Sequence, residues 1–129
     1  ARNALLAVAE TPLVAFLDDD DLLDPDHLER LVDRLVRDAA AVAWSWCRTT
    51  GVDAPTIPRP RNDREFATLM RGGRNCVPVT VVARLSAIAA AGCFDPLDRY
   101  EDYALWMRML RLGASFAVER RETWTYQWY

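Results

Sequence analysis

The sequence predicts an α/β domain: a mixed sheet of short strands with helices on its flanks. Three observations carry that expectation. Residues 12–17, PLVAFL, form a short apolar run suited to a strand covered on both faces. Leu28, Leu31, Val32, Leu35 and Val36 follow the i, i+3, i+4, i+7, i+8 spacing of a helix laid on a core. Segments of these two kinds then alternate to the end of the chain, the pattern of a layered α/β fold whose ligands gather beyond the carboxyl ends of the strands.

Taken in order, residues 3–9 read as the end of a helix leading into the PLVAFL strand, and Asp18–Asp21 follow that strand directly. Asp24 is a natural N-cap and Pro25 suits the first helical position, so a helix is expected from there to Arg37. Residues 40–47, AAVAWSWC, read as a second strand. The stretch 49–62 carries Pro55, Pro58 and Pro60 and is expected to be an irregular, mobile loop. A helix over 64–71, a strand over 77–83 and a small helix over 85–91 stopped by Gly92 come next. Asp95-Pro96 marks a turn before a helix over 101–112, which Gly113 closes as the residue after the cap. The aromatic and β-branched residues of 114–129 end the chain as a strand.

The 129 residues are 51% apolar, enough for one domain with a real core, and the whole of 1–129 is expected as one segment. All 16 basic residues are arginine, set against 19 acids, and the net charge of -3 leaves no electrostatic footprint for nucleic acid. Cys47, Cys76 and Cys93 are odd in number and far apart, which points to reduced, buried thiols rather than a disulfide framework or zinc site. The longest apolar stretch, Leu85–Phe94, has half of the roughly 20 residues a membrane span requires. The start, ARNALLAVAETP, lacks the order of a signal peptide and is expected to be a cut through a longer protein.

The four aspartates pose the functional question. Adjacent carboxylates repel, more strongly as the local dielectric falls, so a cation or open water is expected around them. Asp24 and Asp26 can simply complement the dipole of the following helix. Asp18–Asp21 at a strand end call for more, and a hard divalent cation such as Mg²⁺ or Mn²⁺, held by one or two carboxylates plus substrate phosphate, answers the repulsion. His27 reads as a helix-surface residue, not a metal ligand. An EF-hand fails because Leu22 and Leu23 stand where oxygen and glycine are required. A phosphatase of the haloacid-dehalogenase type, with Asp18 as nucleophile and Asp20 as acid/base, is an alternative, although Leu22 departs from its motif and the chain has no lysine. A non-catalytic interaction module is the other.

The stretch ARNALLAVAETPLVAFLDDDDLLDPDHLERLV resembles the middle of a family-two glycosyltransferase of the GT-A fold, in which an A-R-N helix precedes a strand, D-x-D-D and a proline-started helix. A second stretch, AGCFDPLDRYEDYALWMRML, is similar to that family's G-x-F-D turn, E-D pair and L-W-x-R helix. The resemblance implies a Rossmann-like three-layer sandwich, here partial, and transfer of a sugar from a nucleotide-sugar donor to an acceptor hydroxyl. It assigns Asp18 and Asp20 to a Mn²⁺ or Mg²⁺ ion, with Asp20 the more direct ligand, and Asp102 as general base of an inverting displacement. Glu101, Arg2, Asn3, Asp19 and Asp21 fall to substrate binding, Asp19 or Asp21 touching the ribose or only water.

Arg108 matches the family's arginine but is equally a structural residue, and Trp106 fits a core stripe with Leu105, Met109 and Leu112. Trp124, Tyr126, Trp128 and Tyr129 suit either a core or stacking on an acceptor sugar. The resemblance further implies a role in cell-surface polysaccharide or glycoconjugate synthesis, in the cytoplasm or at the inner face of the membrane through parts outside this chain. The family's N-terminal nucleotide-binding strands have no counterpart here. The chain is therefore expected to be N-terminally truncated, a weak catalyst alone, and prone to self-association through exposed sheet edges.

Overall fold

A computed structural model describes all of Ala1–Tyr129. Its elements are α1 (Arg2–Val8), β1 (Leu13–Ala15), β2 (Leu22–Leu23), α2 (His27–Arg37), β3 (Val42–Thr50), α3 (Asp63–Arg71), β4 (Val81–Arg84), α4 (Leu85–Ala90), α5 (Glu101–Arg111) and β5 (Phe116–Gln127). The strands form one mixed sheet in the order β1-β4-β3-β5-β2. β3 and β5 run parallel, and every other neighbouring pair is antiparallel.

Side-chain alternation along the central strands makes three layers. Ala43 and Val82 face Leu31 and Leu35 of α2 on one side of the sheet. Val42, Trp44, Val81 and Ala83 face the larger core on the other, filled by Met70, Ile88, Leu105, Trp106 and Met109 from α3, α4 and α5. The apolar character of β3 and β4 on both faces follows from this double covering. The α2 stripe is narrower than its spacing suggests: Leu31 and Leu35 are fully buried, Val32 partly so, whereas Leu28 and Val36 are exposed. Leu112 is likewise exposed, because it caps α5 beyond the last core-facing turn.

β1 and β2 lie at opposite edges of the sheet, yet only Phe16–Asp21 connect them. Four strand spacings on a flat sheet come to about 19 Å. A six-residue link containing a turn spans that only if the sheet curls. Register shifts between Ser45 and Trp46 and between Trp46 and Arg48 bend the β3–β5 pair where the curl is needed. The acidic residues are thereby drawn across the mouth of the sheet.

Four further local expectations are corrected. The second helix begins at His27, two residues later than the Asp24 cap requires, because Asp24 is taken up by Arg48 (2.5 Å) and its amide by the Thr123 carbonyl (2.9 Å). His27 is buried, not on the surface. Its Nδ1 is 2.7 Å from Thr123 Oγ1, which in turn lies 2.6 Å from Ser45 Oγ, and burial lowers its proton affinity. The strand expected over 77–83 is confined to Val81–Arg84, since Cys76–Thr80 run without strand pairing along the sheet mouth. In the proline-rich stretch Thr49 and Thr50 still belong to β3, and 51–62 is irregular.

The stops of α4 and α5 follow their sequence signals, and α3 starts one residue earlier than expected. Asn62 caps α3 by accepting the Glu65 N–H at 2.9 Å. Gly92 and Gly113 adopt φ of 87° and 84°, and the following amides bond back to Ile88 and Met109, closing α4 and α5 in Schellman fashion. Arg108 is structural, although no salt bridge holds it: its Nε donates to the Ala91 carbonyl (2.9 Å) and its Nη2 to that of Cys93. Cys47 and Cys76 are buried with thiols pushed up to about 11 by desolvation, and Cys93 is half-buried; all three are free. No helix is long and apolar enough to cross a membrane.

Candidate active site

The acidic turn begins at Asp18, with Phe16 and Leu17 between it and the end of β1. Asp21 N–H bonds to the Asp18 carbonyl at 3.2 Å, so the four aspartates form a single tight turn, and its four carboxylates find different surroundings. Asp18 is half-exposed and paired with Arg2, whose Nη2 donates to Oδ1 at 2.6 Å. Asp19 and Asp20 are exposed to solvent. Asp21 is buried, with Oδ1 accepting the Gln127 amide (3.2 Å) and Oδ2 3.5 Å from Thr80 Oγ1. Burial raises its proton affinity against the Gln127 bond, and the neighbouring Asp18 and Asp20 raise it further.

Arg2 connects the two acidic motifs. Its Nη1 donates to Glu101 Oε1 while Nη2 holds Asp18, and its guanidinium lies 5.5 Å from the Phe94 ring centroid. One cation thus bridges residues from the two ends of the chain, a bidentate role suited to arginine. Asn3 is committed elsewhere: its Oδ1 accepts the Phe94 N–H (3.0 Å) and its Nδ2 donates to the Phe94 carbonyl (2.7 Å). That pair of hydrogen bonds fixes Phe94, seven residues before Glu101, against α1.

Asp102 is the second residue of α5, ahead of which Asp98 accepts the Tyr100 N–H at 2.9 Å, and the helix starts without a side-chain cap. Its Oδ1 accepts the Tyr103 amide (2.7 Å) and its Oδ2 the Asn75 side-chain N–H (3.3 Å). A carboxylate at a helix start ordinarily has its charged form favoured. Here burial outweighs the Tyr103, Arg2 and Asn75 contributions, and the Asp102 carboxyl is raised above its usual value.

Asp18, Asp21 and Asp102 line one cleft of about 250 Å³. Asn75, Trp124 and Tyr126 share it, and Pro55, Ile57, Pro78 and Val79 supply apolar walls. Burial, then the charges of Asp21, Asp20 and Asp18, raise the proton affinity of the Tyr126 hydroxyl. Trp124 is almost wholly buried and Trp128 and Tyr129 are exposed, so Trp124 and Tyr126 are the terminal aromatics that reach the cleft. Trp106 belongs to the core, its indole donating to the Val77 carbonyl at 3.1 Å. Asn75 was not marked by any motif; its only sequence signal is a polar residue in the unpaired run between Gly73 and Pro78.

Residues 1–100 match the family described as glycosyl transferase family 2. The chain belongs to that family. The matched region holds the aspartate turn and stops just before Glu101. Crystal structures of TarS residues 1–349 from S. aureus share the fold at 20% identity. The form in complex with UDP-GlcNAc has a TM-score of 0.74, covering 99% of this chain and 38% of its own. The form named without a ligand and the form in complex with UDP both have a TM-score of 0.73 and cover 98% of this chain and 39% of their own. The chain therefore spans less than half of the TarS structures it resembles. No curated protein matches it in sequence. As a family-2 chain it shows the mixed sheet and flanking helices of a GT-A domain.

Proposed function

We propose that this family-2 chain forms part of the catalytic domain of a glycosyltransferase that moves a sugar from a nucleotide-diphosphate donor to an acceptor hydroxyl with inversion. The observation that carries the reading is the meeting of Asp18 and Asp102 at one cleft, from opposite ends of the chain, with Arg2 tying Asp18 to Glu101. The cleft is smaller than the roughly 300–1,000 Å³ of a drug-sized ligand site, so it suits the reacting sugar and acceptor hydroxyl rather than an entire nucleotide sugar.

Asp102 is the general base in this scheme. Its raised proton affinity brings it closer to neutral pH, where a base both stays ionised and accepts a proton effectively. The acceptor hydroxyl loses its proton to Asp102 as its oxygen bonds to the anomeric carbon, and the bond from that carbon to the diphosphate oxygen breaks. Arg2 keeps Asp18 and Glu101 in fixed relation and places positive charge beside the departing phosphates. Asp21, tied to Gln127 and Thr80, holds the turn against β5, while exposed Asp19 is free to meet the donor's ribose.

Asp18 and Asp20 are the proposed ligands of Mn²⁺ or Mg²⁺. No three His, Cys, Asp or Glu side chains converge into a complete site. An oxygen donor set of two carboxylates nevertheless suits a hard cation that takes its other ligands from phosphate and water. When bound, such an ion neutralises charge growing on the leaving diphosphate.

The test uses the full-length protein with nucleotide sugars, UDP-GlcNAc first because a structural neighbour is a complex with it. Transfer that stops on chelation with EDTA and yields the opposite anomer agrees with the proposal. Retained configuration, or turnover indifferent to chelation, contradicts the corresponding part. A chain acting only as an interaction module would transfer nothing and keep its biological role in Asp102→Asn.

A further inference from the structure

We propose that Asn75 is a positioning residue for the Asp102 carboxylate, selecting Oδ2 as the oxygen that receives the acceptor's proton. The inference rests on the reading of Asp102 as general base and adds a residue that no motif marks. Asn75 stands in the unpaired run leading to β4 and lines the cleft with Asp102. Its two amide ends are used differently. Oδ1 accepts the Val77 N–H at 3.0 Å, and because a backbone amide can only donate, the side chain cannot flip. The Nδ2 end is therefore aimed at Asp102, where it donates to Oδ2 at 3.3 Å.

The carboxylate is thus held at both oxygens by donors of unequal freedom. Oδ1 is tied to the Tyr103 amide at 2.7 Å, a bond built into the first turn of α5. Oδ2 has the single, longer Asn75 bond at 3.3 Å and no other hydrogen-bond partner. A carboxylate rotating about its last bond would exchange the two oxygens, and the Asn75 bond opposes that rotation. Val77, which orients Asn75, is itself pinned by Trp106 of α5 through its carbonyl, so the orienting wall and the helix carrying the base move as one unit.

Donation to the ionised form also moderates the proton affinity that burial raises. The charged and titratable groups around Asp102 are Arg2 of α1, Glu101 and Tyr103 of its own helix, Asp18 and Asp21 of the turn, and Tyr126 of β5. None changes when Asn75 is replaced by serine, whereas Asn75→Asp adds a carboxylate beside Asp102.

Two variants separate positioning from folding. Asn75→Asp keeps an acceptor for Val77 N–H and removes the donor to Asp102. Asn75→Ser keeps an acceptor on a shorter arm that cannot reach Asp102. In the full-length protein, carbon-13 NMR titration of the Asp102 carboxyl is expected to move to higher pH in Asn75→Ser. With UDP-GlcNAc as probe, kcat in Asn75→Ser is expected to fall roughly tenfold to a hundredfold with donor KM unchanged, and the charge added in Asn75→Asp is expected to move the acid limb of the rate profile further upward than Asn75→Ser does. A carboxyl that titrates in Asn75→Ser as in the parent overturns the inference, whatever Asp102→Asn does. Full turnover in Asp102→Asn overturns the base reading instead, and the positioning role falls with it.

Discussion

Two neighbouring sets of acidic residues, Asp18–Asp21 and Asp24 with Asp26, are chemically alike and receive opposite treatment. Asp24 has its own arginine, Arg48, at 2.5 Å, and Asp26 has Arg30, also at 2.5 Å. The four aspartates of the turn have one arginine among them, Arg2, and it is shared with Glu101. Asp24 and Asp26 are held in ion pairs that bind local structure together. The turn is left short of positive charge at the mouth of a cleft, where a cation or cationic transition state has something to gain. What separates the scaffold aspartates from those of the proposed site is the supply of counter-charge, which the aspartate count alone does not reveal.

The sharpest way to break this contrast is at the far side of the cleft. Asp102→Asn should lower kcat by about 10²- to 10⁴-fold, the usual contribution of a general base, with circular dichroism unchanged. A loss below tenfold would put the proton elsewhere. Arg2→Ala comes next: removing the only arginine on the turn should cost roughly tenfold in kcat/KM, read by steady-state kinetics across donor concentrations.

The Asp102 variant also carries a pH signature. Its carboxyl is raised in the folded chain, so the protonated form stabilises the fold at low pH, and that contribution is lost as pH rises through the folded value. At pH 7 the ionised group is a burden, so Asp102→Asn should melt slightly higher than the parent. The advantage should vanish below the ordinary aspartate value of 3.8, as thermal scans at several pH values would show. The smallest effect belongs to the scaffold: Arg48→Ala should cost at most about 1 kcal/mol in urea unfolding and leave nucleotide affinity untouched, as expected of a partly exposed ion pair.

Much of this was legible in the sequence, for physical reasons that differ by element. The α2 stripe, the helix expected over 64–71 and the glycine stops at Gly92 and Gly113 are local signals, and local backbone chemistry determines them. The acidic turn and the Glu101–Asp102 pair were legible as motifs. Their meeting was implied only by the family resemblance, because it depends on a curl set by irregular β3–β5 register, which no local pattern encodes. Asp24 looked like a cap until Arg48, on a distant strand, claimed it. His27 looked exposed because it sits at a helix start, yet the first turn faces β5 and buries it against Thr123. Asn75 carried no motif because its proposed role combines a local turn bond to Val77 with one long-range contact to Asp102, which the sequence does not show.

The most direct measurement is isothermal titration of the full-length protein with Mn²⁺ and a nucleoside diphosphate, comparing Asp20→Ala with Asp24→Ala. The account predicts that metal-dependent binding weakens at least tenfold in Asp20→Ala, as loss of a direct charge-bearing ligand requires, and is unchanged in Asp24→Ala. Equal affinity in Asp20→Ala and the parent would contradict it, and would make the turn one more solvated acidic loop.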